Sequence, residues 1–447
     1  MFGHSRFRYR SLEEIEADVE RLGLDIEFSR DTSVLAEPVR IGSRTAPNAL
    51  AIHPMEGRDA DPQGNPGELT FRRYRRYARG GAGLIWFEAS AVGAEGRSSD
   101  RQLLFAKGNR AEWEKLLTMT RKAAADEFGT GHRPICIVQL HDAGRYRKAT
   151  GCTPAIVVRN PYLDPPAGIP SDHPVMTDSD IEALEEAMAE AAVMAWRVGF
   201  DGADIKSCHR YLVSDLLSAH TREGKYGGSF ENRARFLLNV VDRVREQVSK
   251  DFLVTTRLNL YDAIPYPYGW GVDREDVAVP DLSEPLRLVG LLRERGVKII
   301  NTSSGTPYYN PHVTRPYDTP VRGTSLPDEH PLEGVARAFR LTAEVQKAYP
   351  DLVVVGSAYS WLRQFLGNAA AANIRNGRVS IVGVGRTAFA HPDFARDLIS
   401  KGCLDPHKVC IACSLCSQLM RDGSSTGCVM RDGEVYGPIY GTVRARK

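Results

Sequence analysis

The chain alternates short β-rich runs with amphipathic helical stretches along most of its 447 residues, and this alternation limits the folds it can adopt. The runs are apolar nearly throughout, which is typical of parallel strands covered on both faces. Eight such strands with intervening helices predict closure into a (β/α)8 barrel, the TIM barrel. An open doubly wound sheet is the alternative, but it usually has fewer strands and a glycine-rich first turn that is missing here. The predicted strands cover residues 49–54, 83–89, 135–140, 202–207, 253–259, 297–304, 352–358 and 379–386.

Two additions flank the predicted barrel, which spans residues 36–402. Residues 1–35 are predicted to form an N-terminal extension with one helix at about 11–23, and residues 403–447 form a tail rich in glycine and cysteine. Within the barrel, the helix predicted at 179–199 carries a capping signature, because Asp178 or Ser179 precedes Glu182 or Glu185.

Composition excludes several classes of partner. The formal net charge is only +2, which gives no electrostatic argument for nucleic acid or a membrane surface. No apolar run reaches the roughly 18 residues that span a bilayer, and the N-terminus is too polar for a signal peptide. Eight cysteines in a chain of this size suit a reducing compartment. We therefore expect a soluble cytoplasmic protein.

Four cysteines near the C-terminus stand in the register C-x2-C-x2-C-x11-C, at Cys410, Cys413, Cys416 and Cys428. A cubane iron–sulfur cluster takes four cysteine thiolates, and no histidine lies nearby to share the task. Structural zinc also accepts four cysteines, although its sites more often pair two C-x2-C knuckles, whereas here the fourth cysteine stands alone. The spacing favours an iron–sulfur cluster over zinc and leaves both open.

Functional side chains of such barrels lie at the C-terminal ends of the strands. The loops after strands 7 and 8 commonly form a phosphate site from backbone N–H groups and a nearby helix N-terminus. Gly356 and Ser357 follow the seventh predicted strand, and Gly385 and Arg386 follow the eighth, so they supply small residues, donors and a bidentate cation. The sequence predicts a phosphate-bearing ligand; alternatively, the two glycines only permit tight turns.

These residues lie within stretches that resemble the flavin-dependent old yellow enzyme superfamily, also called the NADH:flavin oxidoreductases. The chain is most similar to the iron–sulfur branch that includes 2,4-dienoyl-CoA reductase and trimethylamine dehydrogenase. The resemblance runs from about residue 36 to 432. It is carried by EPVRIGSRTAPNALAIHPM, IVQLHDAGR, GFDGADIKSCHRYLVSDLLSAHTREGKYGGSFENRARF, VGVGRTAFAHPDF and the cysteine run.

The resemblance implies FMN across the barrel mouth and a [4Fe–4S] cluster on the four cysteines. Met55 and Ala89 would offer backbone groups to the isoalloxazine ring, and Gln139 would reach its pyrimidine edge. Arg257 would lie near the N1–C2 carbonyl, where its charge stabilises a reduced anionic flavin. The implied phosphate ligands are Gly356, Ser357, Gly385 and Arg386.

The chain departs from its relatives where many of them grip a substrate carbonyl with two histidines or with histidine and asparagine. Lys206 and His209 stand at these positions. A lysine can donate to a developing oxyanion, but its fixed charge favours an anionic group and repels an amine cation. Alternatively, Lys206 pairs with a carboxylate such as Glu88 or Asp142. Asp142 itself stands where relatives carry a histidine, in QLHDAGR.

Tyr211 follows His209 by two positions, like the proton-donating tyrosine of many relatives, and is the candidate general acid. Glu56 stands where a small threonine or cysteine usually lies beside the flavin, and a carboxylate there would lower the flavin potential unless it is protonated or paired. Tyr308 and Tyr309 follow the sixth strand and are either walls of a substrate pocket or plain loop aromatics.

The resemblance implies a flavin- and iron–sulfur-dependent oxidoreductase that reduces an activated C=C bond of the enoate or enoyl type. Tyr211 would donate the proton, and electrons would pass through the cluster. An amine or C–H dehydrogenase of the trimethylamine dehydrogenase type is the alternative, and a zinc-stabilised barrel binding a phosphorylated ligand is a remote one. Because the sequence ends without FAD- and NAD(P)H-binding domains, we expect a separate ferredoxin or flavoprotein partner, or direct reduction by NAD(P)H. We also expect a homo-oligomer.

Overall fold

Eight parallel strands close into a barrel in the computed structural model of the chain, which describes residues 3–445. In order around the sheet, the strands are β7 (Leu253–Thr255), β6 (Gly202–Ile205), β5 (Ile135–His141), β4 (Leu84–Ala91), β3 (Leu50–Ile52), β11 (Ile381–Val384), β10 (Val353–Gly356), β9 (Ile299–Ser303) and β8 (Arg257–Asn259). Every neighbouring pair is parallel. Its two ends, β7 and β8, are halves of one predicted strand separated by Thr256, so the ring is closed. The Thr256 hydroxyl donates to the carbonyl of Ile205 at 2.6 Å, inside the wall. The predicted (β/α)8 barrel is confirmed.

The strands are β1 Val39–Ile41, β2 Arg44–Ala46, β3 Leu50–Ile52, β4 Leu84–Ala91, β5 Ile135–His141, β6 Gly202–Ile205, β7 Leu253–Thr255, β8 Arg257–Asn259, β9 Ile299–Ser303, β10 Val353–Gly356 and β11 Ile381–Val384. The helices are α1 Leu12–Arg21, α2 Glu68–Arg79, α3 Arg110–Phe128, α4 Asp164–Ala167, α5 Asp178–Val198, α6 Leu212–Leu217, α7 Phe230–Arg245, α8 Ser283–Glu294, α9 Pro311–Thr314, α10 Pro331–Ala348, α11 Leu366–Arg375, α12 Arg386–Ala390, α13 Phe394–Lys401, α14 Leu415–Arg421 and α15 Gly433–Ala445. None of these helices is long and apolar enough to cross a bilayer.

Two apolar layers hold the barrel together, one inside the strands and one between the strands and the helices. The antiparallel hairpin β1–β2 contributes Ile41 and Ala46 to the inner layer, where they join Trp86. Arg44 of the hairpin pairs with Asp201, just before β6, at 2.5 Å. The hairpin therefore covers the N-terminal ends of the strands and leaves their C-terminal ends for ligands.

The cap of α5 differs from the sequence prediction. Thr177, not Asp178 or Ser179, is the N-cap: its hydroxyl accepts from the backbone N–H of Asp180 at 3.2 Å. The carboxylate of Asp180 accepts the backbone N–H of Thr177 at 2.8 Å and completes the capping box. The prediction was wrong because the box is closed by an aspartate, the shorter acid, two residues before Glu182.

The tail packs across α2 and the loop that follows β3. Asp432 accepts from Arg72 at 2.7 Å and from Arg76 at 2.5 Å. The backbone N–H of Thr426 donates to the carbonyl of Gly57 at 2.6 Å, and Arg101 donates to the Ser425 hydroxyl at 2.6 Å. These contacts fix the cysteine-bearing segment beside the barrel mouth.

Candidate functional site

A cavity of about 570 Å³ opens at the C-terminal ends of the strands. Nearly all residues that the sequence singled out for a cofactor or for catalysis line it: Met55, Glu56, Ala89, Gln139, Lys206, His209, Tyr211, Arg257, Ser357, Gly385 and Arg386. Gly356 is the exception, because a Cβ atom at this position would point toward Val379, 3.1 Å from its Cγ2. The structure thus brings eleven of these twelve residues to one space.

A buried charge network positions the loop that carries Met55 and Glu56. Arg73 of α2 contacts Asp59 and Glu88, each at 2.5 Å, and both carboxylates are buried. Glu88 also accepts the backbone N–H of Gly57 at 2.8 Å. A Cβ atom at Gly57 would lie within 2.3 Å of the guanidinium carbon of Arg73, so only glycine lets the loop pass this close.

Replacing Arg73 by alanine is expected to lower the free energy of unfolding by about 3–5 kcal/mol, because two buried carboxylates lose their counter-ion. Chemical denaturation would measure the change. Arg75→Ala is the matched control, since Arg75 lies on the exposed face of the same helix. A loss no larger than that of the control would mean that Asp59 and Glu88 are held by other groups.

Lys206, His209 and Tyr211 follow β6 on a turn with unusual backbone geometry. His209 and Arg210 adopt φ angles of 63° and 60°, in the left-handed region. Arg210 is fully buried and pairs with Asp215 and Asp262, each at 3.0 Å. This buried pairing holds the turn so that the side chains on either side of Arg210 point into the cavity.

The surroundings of Lys206 differ from the pairing considered in the sequence. Its partner is Glu56, with Lys206 Nζ 3.9 Å from Glu56 Oε1, and not Glu88 or Asp142. Glu88 instead forms an ion pair with Arg73, and Asp142 forms one with Arg147 at 2.6 Å. Lys206 Nζ also lies 3.7 Å from the centre of the Tyr211 ring. The electron-rich face of the ring attracts a cation placed there.

Burial decides the protonation states of these groups. It lowers the pKa of Lys206, while the Glu56 carboxylate opposes that change. Burial, followed by the charges of Lys206 and Arg257, holds the pKa of His209 well below its ordinary value, so the imidazole is neutral at pH 7. Burial also raises the pKa of Tyr211 well above its usual range, so its hydroxyl keeps its proton.

The floor of the cavity is organised by Asp204, a residue the sequence analysis missed. Asp204 Oδ2 accepts from the amide nitrogen of Gln139 at 2.7 Å, which leaves the amide oxygen of Gln139 free to accept. Its Oδ1 accepts the backbone N–H of Arg257 at 2.6 Å. Burial raises the pKa of Asp204 to about 6. The only sequence signal was an acidic residue inside an otherwise apolar strand.

Arg257, Arg315 and Arg386 line the cavity, and none of the three has a carboxylate partner among residues 3–445. Each has a buried guanidinium nitrogen that makes no hydrogen bond. Arg315 and Arg386 both reach the hydroxyl of Ser417, at 3.0 and 3.2 Å. Burial, followed by the charge of Arg386, lowers the pKa of Arg315. Two close guanidinium groups with unsatisfied donors fit a phosphate. The sequence analysis missed Arg315, which lies in a long irregular loop.

The backbone beside these arginines leaves room for a ligand. Gly385 precedes α12, and a Cβ atom there would lie 2.8 Å from Met55 Sδ. Ser357 donates to the carbonyl of Thr302 at 2.7 Å, and its oxygen lies 3.1 Å from His53 Nε2. The residues present therefore fit an aromatic ring system with a phosphate tail. Gln139 and Arg257 on the floor offer an acceptor and a donor to the edge of the ring, and Arg315 and Arg386 offer positive charge to the phosphate at one end.

The four cysteines of the tail line a second, small cavity of about 20 Å³. Ala412 and Ser414 adopt φ angles of 52° and 58°, which bend the chain between successive cysteines. Backbone N–H groups of Ala412 and Arg431 donate to Cys410 Sγ and Cys428 Sγ, both at 3.4 Å. Within residues 3–445, no group of three or more His, Cys, Asp and Glu side chains is recognised as a site for a single metal ion. The thiols do share one cavity, as four ligands of one cluster would.

The two cavities are neighbours. Arg386 and Cys410 line both of them. Other lining residues of the main cavity that the sequence did not single out include Tyr146 and Lys148, and Tyr308 lines it while Tyr309 does not. The group bound by the cysteines would therefore lie directly beside the ligand of the barrel mouth.

A search for related proteins finds the family model described as "NADH:flavin oxidoreductase / NADH oxidase family" over residues 34–269, more than half of the chain. An NADH oxidase of Thermoanaerobacter brockii is 26% identical over 84% of this chain and 52% of its own length. An NADPH dehydrogenase of Bacillus pumilus is 32% identical over 61% of this chain and 73% of its own. The chain thus spans about half the length of the NADH oxidase.

Solved structures with the same fold include a complex of 2-naphthoyl-CoA reductase with 2-naphthoyl-CoA. It has a TM-score of 0.69 and 20% identity, covering 90% of this chain and 57% of that one. Histamine dehydrogenase from Rhizobium sp. 4-9 has a TM-score of 0.64 and 19% identity, covering 89% and 52%. At such identities these structures support the barrel fold alone. Together with the family match over residues 34–269, the site geometry leads to one conclusion: the chain belongs to the NADH:flavin oxidoreductase / NADH oxidase family.

Proposed function

We propose that the protein is an FMN-dependent oxidoreductase that reduces an activated C=C bond of the enoate or enoyl type. The observation that carries this proposal is the group of Lys206, His209 and Tyr211 at the cavity: a cation, a neutral imidazole and a protonated phenol side by side. Two donors for a carbonyl oxygen and one proton donor are what reduction of an activated alkene requires of a protein.

The described residues fit FMN. Arg386, Arg315 and Ser357 would hold the phosphate, together with the backbone of Gly385; Gly356, which the sequence predicted to share this role, does not line the cavity. Met55 and Ala89 would contact the ring system with backbone groups, Gln139 would accept from its pyrimidine edge, and Arg257 would lie at the N1–C2 side. When bound, FMN supplies the hydride for the β-carbon of the substrate. Glu56, which we expected beside the flavin, is anchored by Lys206 and by Arg58 at 4.0 Å.

The chain's own groups would do the rest of the chemistry. The neutral imidazole of His209 and the ammonium of Lys206 donate to the substrate carbonyl and stabilise the negative charge that develops on its oxygen. Tyr211 donates its proton to the α-carbon. Because these side chains stand on a turn held by the buried pairs of Arg210, they are oriented before the substrate arrives.

The charge of the cavity favours this reaction over oxidation of an amine. Seven cationic side chains line it, against one carboxylate, Glu56, and four of the seven are not assigned to FMN. A protonated amine would be repelled by this lining, whereas an enoate or a carbonyl with developing negative charge would be stabilised. The cations are Arg58, Lys148, Lys206, Arg257, Arg315, Arg386 and Arg421. An amine dehydrogenase of the trimethylamine dehydrogenase type is therefore the second candidate.

We further propose a [4Fe–4S] cluster on Cys410, Cys413, Cys416 and Cys428, held by the tail, residues 403–447, as a unit distinct from the extension (1–35) and the barrel (36–402). The shared small cavity and the backbone N–H groups aimed at sulfur support the cluster. Relatives named NADPH dehydrogenase and NADH oxidase support a nicotinamide as reductant. A separate electron-transfer protein and a homo-oligomer stay predictions.

An anaerobic absorption spectrum of the purified protein, recorded before and after stepwise reduction, tests the proposal. We expect flavin bands over a broad charge-transfer shoulder, with both bleaching on reduction. Metal analysis of the same sample should give iron rather than zinc. Folded protein without visible absorption, carrying one zinc ion per chain, would contradict both cofactors and favour a zinc-stabilised barrel for a phosphorylated ligand.

A further inference from the structure

The hydroxyl of Tyr211 belongs to a short chain of polar groups that reaches toward solvent. Tyr211 donates to Glu56 Oε1 at 3.4 Å, and its oxygen lies 3.2 Å from the hydroxyl of Tyr308. A phenol has one hydroxyl proton, so when Tyr211 donates to Glu56, Tyr308 must be the donor in the second hydrogen bond. Tyr211 is 3% exposed, whereas Tyr308 is 37% exposed. This series of hydrogen bonds therefore leads from the partly exposed phenol of Tyr308 to the buried phenol of Tyr211.

Packing fixes both rings. The ring of Tyr308 stacks on that of Tyr146, with centroids 3.7 Å apart and planes inclined by 17°. The ring of Tyr211 lies under Lys206 Nζ at 3.7 Å. A phenolate formed at Tyr211 would be stabilised by this ammonium group, but it would stand in a buried place that water reaches only past other side chains. It needs a defined route for reprotonation.

We propose that Tyr308 is a proton-relay residue that returns a proton from solvent to Tyr211 after each turnover. The inference rests on the proposed reduction of an activated alkene. The Tyr211 O–H bond breaks as a C–H bond forms at the α-carbon, while the hydride at the β-carbon comes from reduced flavin. The Tyr308 O–H bond then breaks as the Tyr211 O–H bond re-forms, and water protonates Tyr308. One water-derived proton and one hydride are consumed per double bond.

Tyr308→Phe separates this role from that of Tyr211, because Tyr211 is already protonated when the first substrate binds. In a single turnover of pre-reduced enzyme, substrate reduction should proceed at the wild-type rate. In multiple turnovers the rate should fall by about tenfold or more, and the solvent isotope effect should rise, since reprotonation becomes the slow step. Tyr309→Phe is the matched control, because Tyr309 is the adjacent tyrosine and does not line the cavity.

A second measurement does not depend on flavin turnover. In protein labelled with ¹³Cζ-tyrosine, NMR in mixed H₂O and D₂O reports the exchange of the Tyr211 hydroxyl proton with solvent. Tyr308→Phe should slow this exchange by about tenfold or more, and Tyr309→Phe should leave it unchanged. Exchange and multiple-turnover rates equal to the control would overturn the relay, even with Tyr211→Phe inactive. A Tyr211→Phe variant as active as wild type would instead contradict the proposed function.

Discussion

Replacing Tyr211 by phenylalanine is expected to slow reduction of an enoate or enoyl substrate by about 10²–10⁴-fold, the usual contribution of a positioned general acid. The change removes one hydroxyl and keeps the ring that lies under Lys206. It should leave reduction of the bound flavin by a nicotinamide at the wild-type rate, because no proton from Tyr211 is needed there. Stopped-flow absorbance at the flavin band measures the two half-reactions separately.

The size of this effect follows from the surroundings of the hydroxyl. Tyr211 is buried, and its pKa is raised well above the ordinary value by burial and by Glu56, so its hydroxyl is protonated at pH 7. No other phenol hydroxyl that lines the cavity contacts both Glu56 and a second tyrosine. Tyr309→Phe again serves as the control. An unchanged oxidative half-reaction in Tyr211→Phe would assign proton donation to water or to another residue and would favour the dehydrogenase alternative.

The fold follows from the sequence because its signal is local and repeated. Short apolar runs rich in β-branched residues, such as residues 135–140, are typical of buried strands, and eight of them with covering helices leave few arrangements besides the closed barrel. The break between β7 and β8 was not predicted, because Thr256 suits a strand by its own preference. Its hydroxyl bonds across the wall to Ile205, a contact set by tertiary structure alone.

The site was predictable in part for the same reason. Residues at strand ends, such as Gln139 and Arg257, come together because parallel strands present their C-terminal ends at one mouth. Residues outside this rule were harder to place. Arg315 was missed, and Tyr308 was left open between a pocket wall and a plain loop aromatic. Both lie in the segment between β9 and α10, where no periodicity marks the direction of a side chain. The pairing of Lys206 with Glu56 was missed as well, since it joins loops about 150 residues apart in sequence.

Replacing Cys416 by alanine is expected to remove essentially all iron from the protein, from about four atoms per chain to near zero, because a cubane cluster needs four thiolates. The charge-transfer shoulder should disappear while the flavin bands remain. Cys403→Ala is the matched control, since Cys403 is an exposed free thiol outside the four-cysteine register. Iron analysis and the visible spectrum measure the change.

The same substitution should also destabilise the folded tail. This consequence distinguishes a cluster that stabilises the tail from one that is bound without stabilising it. The segment has little core of its own. Leu404, Val409 and Ala412 join the apolar core of the barrel, and polar contacts such as those of Asp432 with Arg72 and Arg76 add to this attachment. Binding free energy released at the cysteines is therefore a main source of its folding free energy.

We expect faster proteolysis after residue 402 in Cys416→Ala, with the barrel intact. Because Cys410 and Arg386 border both cavities, weaker flavin retention should accompany it. A variant that loses iron but keeps wild-type protease resistance and flavin affinity would show that the apolar and polar contacts with the barrel hold the tail without the cluster.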